Sequence, residues 1–233
     1  MKLRIAVGFA VLLLISTSTA QAPEFPSDDE VAAKIKLLTD QQLIDCLKGE
    51  SATCSLKDRY LDSAVITGEL SDRKHVDLLI SAYREGDETQ RYYLVQSLWQ
   101  IDDPQVVTFM RSIAFEHLGR GMDDSDTFYP LDYLARRCDP RALARLNRHV
   151  NFKRYTPMGC IYWSGTVRSF GSCNYHAAAP NLVRSLDAVC LNITGAAEEG
   201  LQKFFPGSCL HAHSIGEEQQ CYKNLLKERP EPK

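Results

Sequence analysis

Two cysteines and two histidines near the C-terminal end are the residues of this sequence that could hold a metal ion. Cys209, His211, His213 and Cys221 supply two thiols and two imidazoles, the ligand set of many tetrahedral zinc sites. The two histidines are only two positions apart, however, whereas zinc motifs usually space them by about three to five residues. A disulfide between Cys209 and Cys221 is therefore the favoured prediction, and no metal or cofactor is expected here.

An acidic loop is the second segment whose residue types could bind an ion. Asp123, Asp124, Ser125 and Asp126 are rich in oxygen atoms, and Ca²⁺ takes about six to eight oxygen ligands. The segment lacks the glycine and the bidentate glutamate of an EF-hand loop. Solvation of the loop and N-capping of the following helix by Ser125 or Asp126 are the favoured interpretation.

Catalytic signatures are missing from the sequence. There is no Gly-x-Ser-x-Gly, no His-Glu-x-x-His and no phosphate-binding loop, and Gly119-Arg120-Gly121 is too short to be a nucleotide fingerprint. The six histidines give no reason to choose one for a Ser/His/Asp triad. The sequence therefore predicts a non-catalytic protein without a cofactor. An exported helical hydrolase with a dispersed catalytic site is the alternative, and a structural envelope protein is a further one.

Composition and charge restrict the class of partner. The 233 residues are 44% hydrophobic and 24% charged, which is typical of a globular protein. The 27 lysines and arginines are outnumbered by 30 aspartates and glutamates, so the formal net charge is −3. Because a nucleic-acid-binding protein usually carries a basic excess, no nucleic-acid partner is expected.

The first twenty residues have the three parts of a secretory signal peptide. Lys2 and Arg4 precede an uncharged apolar run over 5–15, and small polar residues follow. The run is shorter than the roughly 20 residues that span a bilayer. Cleavage is predicted after Ala20, because cleavage after Ala22 would place a proline directly beyond the bond. An uncleaved anchor is the alternative. The chain is therefore expected to be secreted or periplasmic, without membrane insertion after cleavage.

From residue 27 onward the apolar residues follow helical spacing, and no alternating strand pattern is present. The pattern repeats. Leu98, Leu134, Val167 and Leu201 occupy equivalent positions and are separated by 36, 33 and 34 residues. Four two-helix units are predicted over 74–103, 104–139, 140–172 and 173–208. A non-repetitive helical bundle with coincident spacing is the alternative.

Two segments resemble a known repeat family. Residues 178–186, with Pro180 inside the helix, resemble the first helix of a HEAT repeat. Residues 90–103, with Arg91 near the start and Asp103 at the end, resemble its second helix. The resemblance covers about 74–208. It implies an all-α fold, an α-solenoid of stacked antiparallel helix pairs, and a binding role without chemistry. A helical cap over 21–73 and a C-terminal cap with a disordered tail over 209–233 complete the predicted organisation.

In such a solenoid the second helices form a concave surface, which is expected to bind a protein or peptide partner. The second-helix residues predicted to point away from the core are Arg91, Gln96, Gln100, Asp132, Arg136, Ser169, Glu199 and Lys203. Charge reversal at Arg91 and Arg136 is expected to weaken partner binding and to leave thermal stability nearly unchanged, since exposed substitutions shift stability by no more than about 0.5 kcal/mol.

The eight cysteines are expected to form disulfides, because exported proteins fold in oxidising compartments. Cys46 and Cys54 are separated by a short glycine-containing segment and are predicted to pair, like Cys209 and Cys221. The sequon that begins at Asn192, at a predicted helix start, is a glycosylation site only in a eukaryotic source.

The middle four cysteines are assigned by helix geometry. Cys160 and Cys173 bracket a predicted helix of about ten residues, which is roughly 15 Å long, and a disulfide needs Cα atoms within about 7 Å. These two should not pair. Cys138 and Cys173 each follow a second helix, and Cys160 and Cys190 each precede one. We therefore predict Cys138–Cys173 and Cys160–Cys190 between neighbouring units, with Cys173–Cys209 as the nearest competitor.

Overall fold

The computed structural model describes residues 26–47, 52–56, 59–60, 63–115, 125–150, 157–210, 212 and 214–228. Across these residues the chain is all-helical apart from one short ladder of two-residue strands, β1 (Ser55–Leu56) and β2 (Arg59–Tyr60). The α-helices of the described residues are α1 (Asp28–Ile35), α2 (Asp40–Leu47), α3 (Ser63–Glu69), α4 (Val76–Glu85), α5 (Glu88–Gln100), α6 (Pro104–Ala114), α7 (Ser125–Ala135), α8 (Pro140–His149), α9 (Pro157–Ser172), α10 (Ala179–Ser185), α11 (Leu191–Phe204) and α12 (Ile215–Glu228). Three-residue 3₁₀ helices cover Ala52–Cys54, Arg73–His75 and His176–Ala178.

The N-terminal segment contains α1, α2 and α3. Helix α1 begins at a capping box in which the Ser27 hydroxyl accepts from the Glu30 backbone N–H and the Glu30 carboxylate accepts from the Ser27 backbone N–H. The antiparallel ladder pairs Ser55 with Tyr60. The sequence predicted no strands, and two residues are too few to produce an alternating apolar pattern.

Aspartates cap the two helices that begin directly after the predicted unit boundaries at 103 and 139. Asp103 accepts from the backbone N–H of the second residue after it at 2.8 Å, and Asp139 caps the start of α8 in the same way. Pro104 and Pro140 occupy the first helical positions, where the missing N–H leaves no bond unmade. The Asp-Pro pairs at 103 and 139 therefore mark two equivalent helix starts, 36 residues apart.

Each of the segments 74–103, 104–139, 140–172 and 173–208 contains two helices. The two helices of each segment contact each other: α4 with α5, α6 with α7, α8 with α9, and α10 with α11. The second helices also contact one another in series, α5 with α7, α7 with α9, and α9 with α11. Buried apolar side chains from Val31 in α1 to Tyr222 in α12 form one continuous core.

Helix α9 differs from the sequence prediction. Cys160 was expected to precede the helix, but α9 runs over Pro157–Ser172 and contains Cys160. Gly171 lies against Gly200 of α11, where an added Cβ would come within 2.5 Å of the Gly200 Cα. The glycine therefore serves close packing of two helices and does not end one.

Four disulfides join all eight cysteines. The Cα–Cα distances are 5.2 Å for Cys46–Cys54 and 5.8 Å for Cys209–Cys221. Cys138–Cys173 at 5.2 Å and Cys160–Cys190 at 5.7 Å each join one helix pair to the next. These four pairs are the ones predicted from spacing and helix length, and the competing Cys173–Cys209 bridge is not formed.

The C-terminal segment is a helix that the sequence reading did not predict. Helix α12 packs against α10, and the Tyr222 ring is completely buried. Burial raises the pKa of the Tyr222 phenol to about 12, with further contributions from the Glu218 and Glu198 carboxylates. The predicted disordered tail begins at Glu228, but this residue is the last of α12; the rest of the tail, 229–233, lies outside the described residues.

The predicted signal peptide over 1–20 also lies outside the described residues. Among the described helices, none has the length and apolar character needed to cross a membrane. Four disulfides in one chain indicate folding in an oxidising, extracellular-type environment.

Candidate functional site

The eight residues predicted to line a binding surface lie on or next to the second helices. Arg91, Gln96 and Gln100 are on α5, Asp132 is on α7 with Arg136 just beyond its end, Ser169 is on α9, and Glu199 and Lys203 are on α11. The structure brings only part of this set together. Asp132 and Arg136 meet at the centre of a polar group that also contains residues the sequence reading missed.

Asp132 is completely buried and accepts hydrogen bonds from three helices or helix ends. The Trp99 indole N–H of α5 donates to its Oδ2 at 3.0 Å, and the Thr166 hydroxyl of α9 donates to its Oδ1 at 2.7 Å. The Arg136 Nε lies 2.8 Å from Oδ2 and forms an ion pair with it. We call Trp99, Asp132, Arg136 and Thr166 the Asp132 cluster.

The charge of Asp132 is set by two opposing effects. Burial raises the pKa of its carboxyl above the ordinary value of 3.8, because the ionised form loses its hydration. The positive charge of Arg136 and the donors Thr166 and Trp99 act in the opposite direction. The net effect is a raised pKa of the Asp132 carboxyl, and these three neighbours favour its ionised form.

Arg136 has a second role at the surface of the cluster. Its guanidinium carbon lies 4.0 Å from the centre of the Trp99 ring, within the range of a cation–π contact. Its side chain is 40% exposed. An added Cβ at Gly165 of α9 would come within 2.7 Å of its Nη2, so the glycine leaves room for the guanidinium.

Aromatic rings from α5 and α7 surround the cluster. The Tyr129 ring lies 5.9 Å from the Trp99 ring and 6.1 Å from the Tyr92 ring, in edge-to-face arrangements. The Gln96 amide donates to the Tyr129 hydroxyl at 2.7 Å. Gln96 thus lies in the neighbourhood predicted for it, but it is held by a partner one helix pair away.

Two of the predicted surface residues are buried, and for them the prediction is wrong. Asp132 is 0% and Ser169 is 5% exposed. The Ser169 hydroxyl donates to the backbone carbonyl of Gly165 within α9 at 3.0 Å. Helix α7 contacts α5, α6, α8 and α9, and α9 contacts α7, α8 and α11, so little of either helix is left for solvent.

Arg91 is held within its own helix pair. Its Nε donates to the Tyr83 backbone carbonyl at 3.2 Å, and its guanidinium lies 5.6 Å from the Tyr83 ring centre. Arg91 and Arg136 are thus both held by internal contacts, and Arg91 is half-buried, so reversal of the two charges is now expected to lower thermal stability. A glutamate in place of Arg136 would put a second negative charge beside the buried Asp132 carboxylate. We therefore expect that substitution to lower stability.

The remaining predicted residues are exposed. Glu199 forms an ion pair with Arg168 of α9 at 3.2 Å, and both side chains are more than half exposed. Gln100 lies at the end of α5 and Lys203 in the last turn of α11. These residues are available to a partner without breaking a buried contact.

The two metal hypotheses are only partly within the described residues. No group of three or more histidine, cysteine, aspartate or glutamate side chains in the described chain could hold a metal ion. Cys209 and Cys221 are joined to each other, so their sulfurs are not thiolate ligands. His211, His213, Asp123 and Asp124 lie outside the described residues. Helix α7 begins at Ser125.

Asn192 of the sequon is exposed in the first turn of α11, the position expected for it.

Comparison with known proteins adds no relative: no family model, no curated protein and no solved structure matches this chain. Over the described residues the structure thus shows a disulfide-bonded protein, all-helical apart from the two-residue strands, with the Asp132 cluster between its second helices.

The sequence reading missed Trp99 and Thr166, although a signal for both is present. Trp99 is 33 residues before Asp132, and Thr166 is 34 residues after it. These separations are close to the 33–36 residues between equivalent apolar positions. A search for polar partners at about this separation would have included both pairs.

Proposed function

We propose that this protein is an exported HEAT-like repeat protein that binds a protein or peptide partner on the surface of its second helices. In this proposal the helix pairs stack as an α-solenoid, and α5, α7, α9 and α11 line its concave side. The observation that carries the proposal is the continuous series of contacts between these four helices.

Hydrogen bonds between neighbouring helix pairs support the repeat interpretation. Trp99 and Thr166 bond Asp132 across 33 and 34 residues, and Arg168 bonds Glu199 across 31. In a stack of repeats, equivalent helices of neighbouring units are about one repeat length apart in sequence. Hydrogen bonds between them are therefore expected to join residues at a nearly constant sequence separation.

The side chains at this surface support a binding role. Trp, Tyr and Arg are the residue types that dominate the energy of protein interfaces. Trp99, Tyr92 and Tyr93 are each half-buried, and Arg136 is partly exposed beside them. Their internal contacts fix these side chains in place, so little conformational entropy remains to be lost when a partner binds.

The disulfides support export. They tie successive units together and are typical of an oxidising compartment. The signal peptide predicted over residues 1–20 would direct the chain to export.

The test is cross-linking of the chain from residue 21 to native extract, followed by identification of partners by mass spectrometry. The Q100R/K203E variant changes two exposed second-helix residues, and R84E changes an exposed arginine in the last turn of the first helix α4. We expect Q100R/K203E to reduce capture of the identified partner by about tenfold, roughly 1.4 kcal/mol, and R84E to leave it unchanged. Equal capture by both folded variants would reject the second-helix surface.

A further inference from the structure

A groove between α10 and α12 lies on a different part of the molecule from the second-helix surface. It has a volume of about 340 Å³. Its lining residues are Pro180, Val183, Arg184, Gln220, Lys223, Leu226 and Lys227. Three are cations, three are apolar, and none is acidic.

The three cations of the groove have no ion-pair partner in the part of the chain that the structure describes. Within the described residues, none of Arg184, Lys223 and Lys227 forms an ion pair. Arg184 donates only to neutral acceptors, the Pro180 carbonyl at 3.4 Å and the Asn181 side-chain oxygen. An uncompensated positive cluster is unexpected in a chain whose formal net charge is −3.

Helix geometry places these charges along one groove. Gln220, Lys223 and Lys227 are three and four residues apart on α12, so their side chains share one face. Arg184 lies opposite them on α10, in the exposed part of that helix. The floor between the two rows is apolar, formed in part by Val183 and Leu226.

We propose that this groove binds an acidic peptide segment that also carries apolar side chains. The carboxylates pair with the three cations at the rim, and the apolar side chains cover the floor. At about 340 Å³ the groove is at the small end of the range of about 300–1,000 Å³ found for ligand pockets, so it accommodates a short part of the segment. Charge complementarity selects this occupant, because a basic or purely apolar segment would leave the three cations unpaired.

The test uses a fluorescein-labelled peptide in which glutamates flank a leucine-phenylalanine pair, and a matched peptide with glutamines in their place. Binding to the chain from residue 21 is measured by fluorescence anisotropy at low and at high salt. The K223E/K227E variant reverses two of the three positive charges in the groove. The control variant K74E/R84E reverses two exposed cations elsewhere, one just before α4 and one in its last turn. All four positions are exposed, so both variants are expected to fold.

We expect the glutamate peptide to bind the wild type and K74E/R84E equally, and K223E/K227E about tenfold or more weakly. High salt should remove most of the difference, because exposed charges are screened. Equal affinity of K223E/K227E and wild type, or of the two peptides, would overturn the proposal. Self-association that K223E/K227E abolishes would also overturn it, because the occupant would then be a second copy of the chain. None of these outcomes depends on the second-helix surface.

Discussion

Replacement of Arg136 by methionine removes the ion-pair partner of a buried carboxylate and keeps most of the side-chain volume. Asp132 retains two hydrogen bonds, from Trp99 and Thr166, but loses the only positive charge that contacts it among the described residues. The energetic cost of the R136M variant is therefore the cost of a buried negative charge with incomplete compensation.

The magnitude follows from the exposure of the two partners. Removal of one member of a buried ion pair costs about 3–5 kcal/mol. Asp132 is fully buried, but the Arg136 side chain is 40% exposed, which places the expected loss near the lower end, about 3 kcal/mol. For a protein of this size, about 2–4 °C per kcal/mol gives a decrease in Tm of roughly 6–12 °C.

The pH dependence gives an independent check. Burial raises the pKa of Asp132 in the folded state, and loss of the Arg136 charge raises it further. Between the unfolded-state pKa of about 3.9 and the higher folded-state pKa, the native protein binds more protons than the unfolded chain. Its free energy of unfolding therefore falls as the pH rises through this window. The deficit of R136M relative to wild type is expected to shrink as the pH is lowered toward 4, about the unfolded-state value.

Urea unfolding at values from about pH 4, near the unfolded-state carboxyl pKa, up to pH 7 measures both effects. The matched control is R168M, which removes the same side chain from the exposed pair with Glu199 and should cost no more than about 1 kcal/mol. D132N in the R136M background should recover part of the loss, since it removes the unpaired charge. A deficit of R136M below about 1 kcal/mol at pH 7, or one that grows on acidification, would refute the described role of Asp132.

Two further predictions concern the packing and covalent bonds of the helix pairs. Gly171→Ala places a Cβ within 2.5 Å of the Gly200 Cα, so α9 and α11 must separate, at a cost of about 1–3 kcal/mol in denaturant unfolding. The control is Gly195→Ala in α11, where the added Cβ meets no atom within 4 Å; this substitution should stabilise the protein by about 0.5–1 kcal/mol. Equal effects of the two substitutions on stability would contradict the close packing of Gly171 against Gly200. Replacement of Cys138 and Cys173 together by alanine opens a link over 35 residues and should cost about 4 kcal/mol, against about 2.5 kcal/mol for the N-terminal bridge over 8 residues. Urea midpoints of the two double variants, compared with wild type, measure this difference, and the reverse order would contradict the loop-length argument.

Local signals were sufficient for much of the fold. The Asp-Pro pairs at 103 and 139 identify helix starts because each residue has one preferred place at a helix N-terminus. The disulfide pairs followed from helix length and from the requirement for short Cα–Cα distances. The N-terminal ladder was missed because it is too short for a pattern. Helix α12 was missed because only one of its side chains, Tyr222, is buried, which leaves little apolar periodicity.

The candidate site was predictable only in part, because burial depends on neighbours far along the chain. An aspartate at position 132 of α7 is expected to be at the surface, because charged side chains are usually solvated. It is buried because Trp99 and Thr166 supply donors from the helices on either side. Arg136 was assigned correctly to the second-helix region, but its pairing with Asp132 was not foreseen.

The two middle disulfides have a consequence for proteolysis. Cys160 lies between Cys138 and Cys173 in sequence, and Cys173 lies between Cys160 and Cys190, so the two covalent loops overlap. Any single backbone cut between residues 138 and 190 falls inside at least one loop, and the resulting fragments stay covalently joined. A protease nick in this region would therefore be silent on a non-reducing gel and visible only after reduction. Between 160 and 173, two bridges would have to be broken before the fragments could part.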